Sequence, residues 1–403
     1  MAGWHTKPLG DLCEFQRGLT YAKADEVPVS ENIVLRANNV DLASNALDLS
    51  DLRFISDSFQ VPTGKKLRKG SLLICTASGS KSHLGKVAYI DDDYGYAFGG
   101  FMGQITPCAG VDGRYLFHAL TSPNYKDFIA ALSDGANINN LKFNDLQYFP
   151  VSAPSFEEQQ RIVAILDEAF EGIATAKANA EKNLQNAREL CEELMQALFP
   201  EDLIVSDAAP SLDSLCELIV DCEHKTAPTQ KSGIPSIRTP NIGKGRLLLD
   251  GVYRVSETTY KEWTGRAEPQ GGDLILAREA PAGNVAVVPD GMKVCLGQRT
   301  VLIRPRKSVL EPDYLAQLLL RQNSQRRLLA HSRGATVQHI NMKDIRAFKI
   351  TGVPSIDQQR HVVGRVNELF EIEDRMVAIY QRKLNALDEL KKSLLHQAFS
   401  GLI

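Results

Sequence analysis

Several residue groups in this sequence have the types that catalysis requires, but their spacing does not suit it. Residues 79–86 contain glycines and lysines, yet they lack the Gly-x-x-x-x-Gly-Lys-Ser/Thr spacing that places backbone N–H groups around a phosphate. Pro289-Asp290 could open a nuclease motif, but the Glu389-Leu390-Lys391 that would complete it lies far along the chain, on a predicted helix. We also find neither an Asn-Pro-Pro-aromatic nor an Asp-Pro-Pro-Tyr motif, which would hold a target amine. The sequence therefore predicts a chain that binds rather than one that catalyses.

The cysteines give no sign of a metal site. Cys216, Cys222 and His224 form a partial ligand set, but their spacing fits no common zinc pattern and the other half of the chain lacks it. We therefore expect no metal. The seven cysteines are an odd number at irregular spacing, and Cys13, like Cys216, lies among apolar residues. This usage predicts buried, reduced thiols and a cytoplasmic protein.

Other polar residues have types suited to reading nucleic acid. Arginine can donate two hydrogen bonds to guanine, asparagine and glutamine can pair with adenine, and lysine or hydroxyl groups can contact phosphates. The candidates, each beside a predicted strand end, are Arg36, Asn38, Asn39, Thr76, Ser78, Ser80 and Lys81 in the first half and Arg238, Thr239, Asn241, Arg278, Gln298 and Arg299 in the second. For each of them the alternative is an ordinary solvated loop residue. For Gln104 and Gln298, which recur after Gly103 and Gly297, the alternative is a role in the fold.

The elements that must position these residues occur twice. Residues 154–161 (Pro-Ser-Phe-Glu-Glu-Gln-Gln-Arg) return as 354–360 (Pro-Ser-Ile-Asp-Gln-Gln-Arg), and a helical pattern follows each copy. Further matching pairs lie upstream: 9–14 with 212–217, 35–40 with 237–242, 69–74 with 271–276, 85–90 with 283–288, Gly103-Gln104 with Gly297-Gln298, Gly135-Ala136 with Gly334-Ala335, and 141–146 with 340–345. Such an internal repeat predicts two copies of one globular unit. Its shared frame and divergent loops suit two binding domains with different targets, and neutral drift after duplication is the alternative.

Each globular half is predicted to mix α and β structure. Residues 72–75 and 86–90 have the composition of strands, and residues 115–132 have the apolar spacing of one helix. Strands and helices alternate without a regular βαβ order. We therefore predict an α+β fold rather than a doubly wound parallel sheet.

Residues 157–199 and 357–399 have the pattern of long coiled-coil helices. The first seam is Ile162, Leu166, Ala169, Ile173, Ala176, Ala180, Leu184, Ala187, Cys191, Leu194 and Leu198, and the second is Val366, Leu369, Met376, Ile379, Leu384, Leu387, Leu390, Leu394 and Ala398. Ser155 and Ser355 are candidate N-caps, with Glu158 and Gln358 three residues on to complete a capping box. Pro200 would end the first helix. About 40 residues give a helix of roughly 60 Å, so we expect the two helices to pair antiparallel about a pseudo-two-fold axis, and pairing with another chain is the alternative.

Composition permits this architecture. The 403 residues are too many for one typical domain, and 43% hydrophobic with 24% charged residues is usual for a globular protein. The net charge of −3 argues against a non-specific polyanion binder, but a sequence-specific one needs basic residues on one face only. No apolar stretch of about 18 residues occurs, and the N-terminus lacks the apolar core of a signal peptide. We therefore expect no membrane span.

Two similar globular units joined by a pair of long helices would suit duplex DNA, since proteins with two-fold symmetry read half-sites about one helical turn apart. The residues that carry a family resemblance are 158–170, their counterpart 357–370, the ending 397–401, and the segments 296–299 and 70–74. Together they resemble the specificity subunit of type I restriction–modification enzymes over essentially the whole chain. The stretch from Asp357 to Phe370 is counted as one residue longer than that from Glu158 to Phe170, which indicates a local shift of phase.

The resemblance implies two target recognition domains, 1–153 and 201–353, and two conserved helices, 154–200 and 354–403. Each domain would read half of a split, asymmetric sequence in double-stranded DNA. The helices would act as the spacer ruler and dock two methyltransferase subunits, so that removing one helical turn from residues 173–187 would change the half-site spacing. S-adenosylmethionine would bind to those partners, and ATP and Mg to motor subunits where these form a restriction enzyme. The chain itself would bind no cofactor and perform no chemistry.

Two rival functions remain open from the sequence. A protein-binding coiled-coil scaffold would show no DNA sequence preference, and a stand-alone nuclease or modification enzyme would need the catalytic motifs that the sequence lacks. The sequence leaves open which DNA sequence is read, its spacer length and whether motor subunits are present.

Overall fold

The computed structural model describes residues 4–134, 140–199, 208–330 and 338–403. The repeat pair Gly135-Ala136 and Gly334-Ala335 lies outside this part, and so does Pro200, which the sequence predicted to end the first long helix. The chain forms two compact units: unit 1 comprises residues 1–181 and 380–403, and unit 2 comprises residues 182–379. The boundary between the units therefore passes through both long helices.

Unit 1 contains short strands, short helices and parts of both long helices. Its strands are β1 (His5–Pro8), β2 (Cys13–Arg17), β3 (Glu26–Val27), β4 (Asn32–Leu35), β5 (Arg53–Ile55), β6 (Leu72–Cys75), β7 (Val87–Tyr89), β8 (Ala97–Phe98), β9 (Met102–Pro107) and β10 (Pro150–Ala153). Its helices are α1 (Gly113–Ala119), α2 (Pro123–Asp134), α3 (Phe143–Leu146) and the start of α4 (Phe156–Ala197). One sheet has the order β2-β9-β6-β7 and another the order β3-β5-β4-β8, and β1 pairs with β10.

Unit 2 repeats this plan. Its elements are the end of α4, α5 (Leu212–Leu215), β11 (Cys216–Asp221), β12 (Ile234–Ile237), β13 (Arg254–Val255), α6 (Glu257–Trp263), β14 (Leu274–Ala277), β15 (Val285–Val287), β16 (Cys295–Leu296), β17 (Thr300–Pro305), α7 (Pro312–Leu320), α8 (Gln322–Leu329), α9 (Met342–Ala347) and the start of α10 (Ile356–Ser400). The sheet β11-β17-β14-β15 matches β2-β9-β6-β7, and β13-β12-β16 matches β5-β4-β8. In both units the pair β4–β8 or β12–β16 is parallel, which confirms a mixed α/β repeat.

The single helix that the sequence predicted over residues 115–132 is wrong, because the structure breaks it into α1 and α2. The cause is Pro123, since a proline disfavours helical geometry at the residue before it. Ser122 instead accepts a hydrogen bond at its Oγ from the backbone N–H of Tyr125, at 3.3 Å. The strands predicted at 72–75 and 86–90 are confirmed as β6 and β7, although β7 is shorter.

The two long helices pack antiparallel in unit 1. Lys177 on α4 forms an ion pair with Asp388 on α10. The ammonium of Lys391 lies 5.0 Å from the centre of the Phe170 ring. Position 170 thus faces 391 while position 177 faces 388, so the two helices run in opposite directions.

The buried stripe differs locally from the predicted seam. Leu194, Ile379 and Leu390 are 46%, 50% and 46% exposed, whereas Met195 and Leu395 are buried. Placing these three residues in the seam was therefore wrong. Met195 and Leu395 lie near the ends of their helices and are buried in clusters that include residues of the globular units.

A buried glutamine joins each long helix to its globular unit. In unit 1, Gln159 Oε1 accepts from the N–H of Asp112 at 2.9 Å, and its Nε2 donates to the carbonyl of Pro154 at 3.0 Å. In unit 2, Gln359 accepts from the N–H of Glu311 at 2.8 Å and donates to the carbonyl of Pro354 at 2.8 Å.

Because Gln159 and Gln359 hold the same place, the second helix has no extra residue at its start. The one-residue difference counted from the sequence was wrong, since its two stretches began at non-equivalent positions. The caps behave as predicted at Ser155 and Ser355, whose Oγ atoms accept from the N–H groups of Glu158 and Gln358. Only the second copy also shows the return bond, from the Ser355 N–H to the side chain of Gln358, because Glu158 instead pairs with Arg161.

Candidate nucleic-acid interface

Two of the asparagines proposed as adenine readers build the loop that follows a core strand. Asn39 is 1% exposed, and its Oδ1 accepts from the N–H of Arg36 at 2.8 Å while its Nδ2 donates to the carbonyls of Asp48 and Asp51. Asn241 is half-buried and makes the same bond to the N–H of Arg238 at 3.1 Å, and it donates to the carbonyl of Leu248. Because these amides are already used within the loop, they hold the loop in shape.

The same loop receives a second internal bond in each unit. Lys86 Nζ donates to the carbonyl of Val40 at 2.6 Å, and Asn284 Nδ2 donates to the carbonyl of Ile242 at 3.0 Å. Burial lowers the pKa of Lys86 below its usual value. A lysine and an asparagine thus perform one structural task in the two units.

The remaining candidates on these loops differ in exposure. Asn38 is exposed, and Arg36 forms an ion pair with Asp51 at 2.9 Å. Arg238 is exposed, with its guanidinium carbon 5.1 Å from the centre of the Tyr253 ring, and Thr239 is half-buried. These side chains remain candidates for contacting a ligand.

The loop after β6 is held by its own serines. Ser78 Oγ accepts from the N–H of Ser80, and the hydroxyls of Ser80 and Ser82 lie 2.8 Å apart. A short 3-10 helix covers Lys81–His83, and the side chain of Lys81 lies outside the described part. Contact of this loop with a ligand through its hydroxyls and backbone remains a prediction.

A turn between two strands occupies the same position in both units. In unit 1 it covers residues 99–101, between β8 and β9, and in unit 2 it covers 297–299, between β16 and β17. We call each of these a crossing turn. The N–H of Gly99 donates to the carbonyl of Leu35 at 2.9 Å, and the N–H of Gly297 donates to that of Ile237 at 2.7 Å.

The crossing turns show that one pair in the sequence comparison was wrong. Gly103 lies inside β9 and Gln104 is 2% exposed there, whereas Gly297 and Gln298 lie in the turn. The counterpart of Gly297 is Gly99. The two Gly-Gln pairs coincide in letters but differ by four residues in strand register.

The crossing turn is tied to the residue that follows β6 or β14. The N–H of Thr76 donates to the carbonyl of Phe101 at 2.9 Å, and the N–H of Arg278 donates to that of Arg299 at 2.9 Å. Thr76 and Arg278 are therefore counterparts, as are Phe101 and Arg299. Thr76 is 8% exposed and its hydroxyl also donates to the carbonyl of Phe101.

Arg278 is an internal residue of unit 2. It is 9% exposed, and its guanidinium donates to Asp221 Oδ2 at 2.9 Å and to the carbonyl of Ile340 at 2.9 Å. Its Nη2 lies 2.9 Å from His339 Nε2. These contacts make Arg278 a support for the surface, and a base contact by this residue remains a prediction.

Charged groups continue from Arg278 to the surface. His339 Nδ1 lies 3.1 Å from Glu279 Oε1, and Glu279 Oε2 lies 2.9 Å from Arg299 Nε. The Arg299 side chain is 63% exposed. Gln298 donates to the carbonyl of His224 at 3.2 Å, so its amide is partly engaged. Of the second-half candidates near this turn, Arg299 is the most available.

Phe101 is not among the residues predicted from the sequence, because it has no polar donor or acceptor in its side chain. Phe101 is 72% exposed at the tip of the first crossing turn. The Gly99-Gly100 pair before it, placed against Gly297-Gln298, was the signal that could have identified it.

The cysteines do not form a site. Cys216 and Cys222 lie in different hydrophobic clusters, and burial raises the pKa of the Cys216 thiol to about 12. Over the residues that the structure describes, no three His, Cys, Asp or Glu side chains come together in a way that could hold a metal ion. In the same part of the chain, no helix is long and apolar enough to span a bilayer.

Comparison with known proteins decides the family. A family model described as the type I restriction modification DNA specificity domain matches residues 1–185 and 212–385. The chain belongs to this family. A specificity subunit is the non-catalytic component of a type I restriction–modification complex, in which it assembles with partner subunits and DNA.

Related proteins agree with this assignment. The chain is 24% identical over 419 residues to the type I restriction enzyme StySPI specificity subunit of Salmonella potsdam, covering 99% of this chain and 89% of that one. Its fold is similar to a chain solved in a study of complex assembly and conformational transition of the type I R-M system, with a TM-score of 0.76 and 18% identity over 99% and 98% of the two chains. It is also similar to the HsdS subunit of Thermoanaerobacter tengcongensis, with a TM-score of 0.63 and 18% identity over 100% and 98%. The α+β fold predicted from the repeat is thereby confirmed.

Proposed function

We propose that each unit of this specificity subunit reads one half of a split, asymmetric DNA sequence. The observation that carries the proposal is a frame common to both units whose crossing turns bear different side chains. Asn39 and Asn241 hold the same loop, and Gln159 and Gln359 make the same helix junction. At the crossing turn, however, unit 1 has Phe101 at the position where unit 2 has Arg299. Equal frames with unequal contacts would give two unequal half-sites.

The long helices are the proposed docking surface for two methyltransferase subunits. Leu390 on α10 in unit 1 and Leu190 on α4 in unit 2 occupy equivalent positions of the repeat and are 46% and 56% exposed. Unit 2 also exposes Leu194, Ile372 and Ile379 on its helical parts. Exposed apolar side chains grouped on a helix mark protein–protein contacts. Repeated exposed leucines would suit two copies of one partner.

The helices are also the proposed ruler between the half-sites. Because α4 and α10 run antiparallel in unit 1, one cannot be shortened without the other. The matched change removes residues 178–184 and 381–387, just beyond the Lys177–Asp388 pair. Seven residues keep the seam in phase and shorten each helix by about 10 Å, or roughly three base pairs.

The test is a methylome of cells that carry the methyltransferase subunits with this chain, with its shortened form, or without it. The expected result is methyladenine in a split site, the same half-sites at a smaller spacing for the shortened form, and no such site without the chain. New half-sites at the old spacing would overturn the ruler. An unchanged methylome without this chain would overturn the function and favour the scaffold.

Catalysis and cofactors belong to the partners in this proposal. The methyltransferase subunits would bind S-adenosylmethionine, and motor subunits would bind ATP and Mg where they complete a restriction enzyme. The isolated chain should therefore show neither methylation nor cleavage when given these cofactors. Activity of the purified chain with S-adenosylmethionine or a metal ion would restore the stand-alone enzyme.

A further inference from the structure

The first crossing turn holds a large apolar ring in solvent on a fixed backbone. Phe101 is 72% exposed. Its carbonyl accepts from the N–H groups of Thr76 and Ala77 at 2.9 and 3.1 Å and from the Thr76 hydroxyl at 3.0 Å. The N–H of the next residue, Met102, donates to the carbonyl of Gly99 at 2.8 Å. A ring so exposed adds little to the core, although considerable structure is used to hold it.

The second crossing turn holds an arginine in the same place on a strained backbone. Arg299 has φ 66°, the left-handed region that side chains other than glycine rarely adopt. The Arg299 carbonyl accepts from the N–H of Arg278 at 2.9 Å, which ties this residue to the end of β14. Glu279 Oε2 lies 2.9 Å from Arg299 Nε, and the Arg299 side chain is nevertheless 63% exposed. Strain of this kind clusters at functional positions, because the surrounding structure must maintain it.

Resting on the proposed function, we propose that the tip of the crossing turn is the position at which each unit selects one base pair. Phe101 selects an A·T pair through the 5-methyl group of thymine, and Arg299 selects a G·C pair through N7 and O6 of guanine. Apolar contact with the thymine methyl and a two-bond arginine contact with guanine are the major-groove interactions that these side chains can make. The two side chains thus give the half-sites different letters at equivalent positions.

The test uses the full complex of this chain with its methyltransferase subunits, on duplexes whose split site comes from the methylome. For Phe101, each thymine of the half-site is replaced in turn by deoxyuridine, which lacks only the methyl group. At one thymine, the replacement should lower the affinity of the wild-type complex about 4-fold, the value for burying one methyl group. The same replacement should not change the affinity of the Phe101→Ala complex. Phe101→Leu, which keeps an apolar contact, should retain part of the effect. Tyr148→Ala, at a ring 69% exposed in the same unit, is the matched control and should respond as wild type does.

For Arg299, each guanine of the other half-site is replaced by 7-deazaguanine, which lacks the N7 acceptor. Arg299→Ala should lose about 5- to 150-fold in discrimination against other bases at a single position of that half-site and become insensitive to the replacement there. Arg299→Lys should restore part of the preference. Arg326→Ala, at an exposed arginine on α8, is the control.

Each result decides the proposal. A wild-type complex indifferent to deoxyuridine at every thymine, or a Phe101→Ala complex that keeps the full methyl effect, overturns the role of Phe101. An Arg299→Ala complex with unchanged discrimination, or weakened equally on all sequences, overturns the role of Arg299. If either alanine variant fails to assemble, the leucine or lysine variant decides in its place. The methylome tests the split site itself, and the duplex experiments test only the roles of Phe101 and Arg299. Failure of the proposed function can therefore be distinguished from failure of this inference.

Discussion

The two units hold equivalent loops with equivalent hydrogen bonds, and they differ in the residues that follow β6 and β14. Asn39 and Asn241 close equivalent loops, while the strand end after β6 carries Thr76 and that after β14 carries Arg278. Thr76 contacts its crossing turn through a neutral hydroxyl, whereas Arg278 lies in a network of charged groups. The difference teaches that the side chains behind the crossing turn changed along with the one at its tip.

The strand beside the turn shows the same contrast. Arg17 at the end of β2 pairs with Gly103, and Asp221 at the end of β11 pairs with Val301, which is the equivalent position. The guanidinium of Arg17 lies 5.8 Å from the centre of the Phe143 ring, which stacks on Phe15. Asp221 instead binds Arg278. Beside the strand that follows the turn, unit 1 therefore has aromatic packing where unit 2 has an ion pair.

Arg278→Ala should break the comparison most strongly. It leaves the mostly buried carboxylate of Asp221 without its arginine, which we expect to destabilise unit 2 by about 2–4 kcal/mol. Thr76→Ala, the counterpart, removes one hydroxyl bond and should cost about 1 kcal/mol. Hydrogen exchange of β11 and β2 measures both. If Arg278→Ala leaves β11 fully protected yet weakens cognate DNA binding by about 1–3 kcal/mol, the residue reads a base after all.

Gln359→Ala and Gln159→Ala should test the sameness of the frames. Each change leaves a buried N–H and carbonyl unpaired, so each should cost about 2 kcal/mol. Thermal unfolding followed in both variants should show similar losses. The controls Gln160→Ala and Arg360→Ala alter exposed neighbours and should change the midpoint little. Strongly unequal losses of stability would show that the two junctions do not contribute equally to the fold.

Asp167→Asn should affect unit 1 alone. Burial raises the pKa of Asp167, but hydrogen bonds from His118 and Arg114 outweigh it and hold the pKa below its usual 3.8. The carboxylate therefore stabilises the fold at pH values above 3.8 and ceases to do so as the pH falls through the folded-state pKa. We expect a loss of about 1–2 kcal/mol at pH 7, discounted for the partly exposed Arg114, and a smaller loss below pH 4. Thermal melts across pH, with Glu168→Gln as control, measure it, and a loss that grows toward acid pH would contradict the assignment.

Leu190→Glu and Leu390→Glu should have the smallest effect on the chain itself. Both leucines are exposed, so the free energy of unfolding should change by less than about 0.5 kcal/mol. Each variant should nevertheless weaken retention of one methyltransferase subunit, measured by the mass of the purified complex. Exposed Lys182→Glu is the control for added charge. Full retention of both partners would move the docking surface elsewhere on the helices.

The sequence predicted the repeated frame well because glycines, apolar strands and long helical patterns keep their spacing through divergence. It failed where two segments match in sequence but lie at different positions of the strand register, as with Gly103 and Gly297. It could not reveal the internal hydrogen bonds of Asn39, Asn241 and Arg278, because the sequence does not distinguish a polar side chain whose partner is within the protein from one whose partner is a base. Phe101 was not predicted, because a phenylalanine is usually a core residue and the sequence does not show that this one is exposed.

The last residues of the chain complete its first unit. Ala398 is fully buried in the core that includes Leu9 and Tyr115, and the carbonyl of Phe399 accepts from the hydroxyl of Ser152. Residues 380–403 must therefore leave the ribosome before unit 1, whose other part is residues 1–181, can close. We expect a truncation before residue 380 to remove Leu395 and Ala398 from the core of unit 1, so that a cut in the second half of the sequence would destabilise the unit formed mainly by the first half.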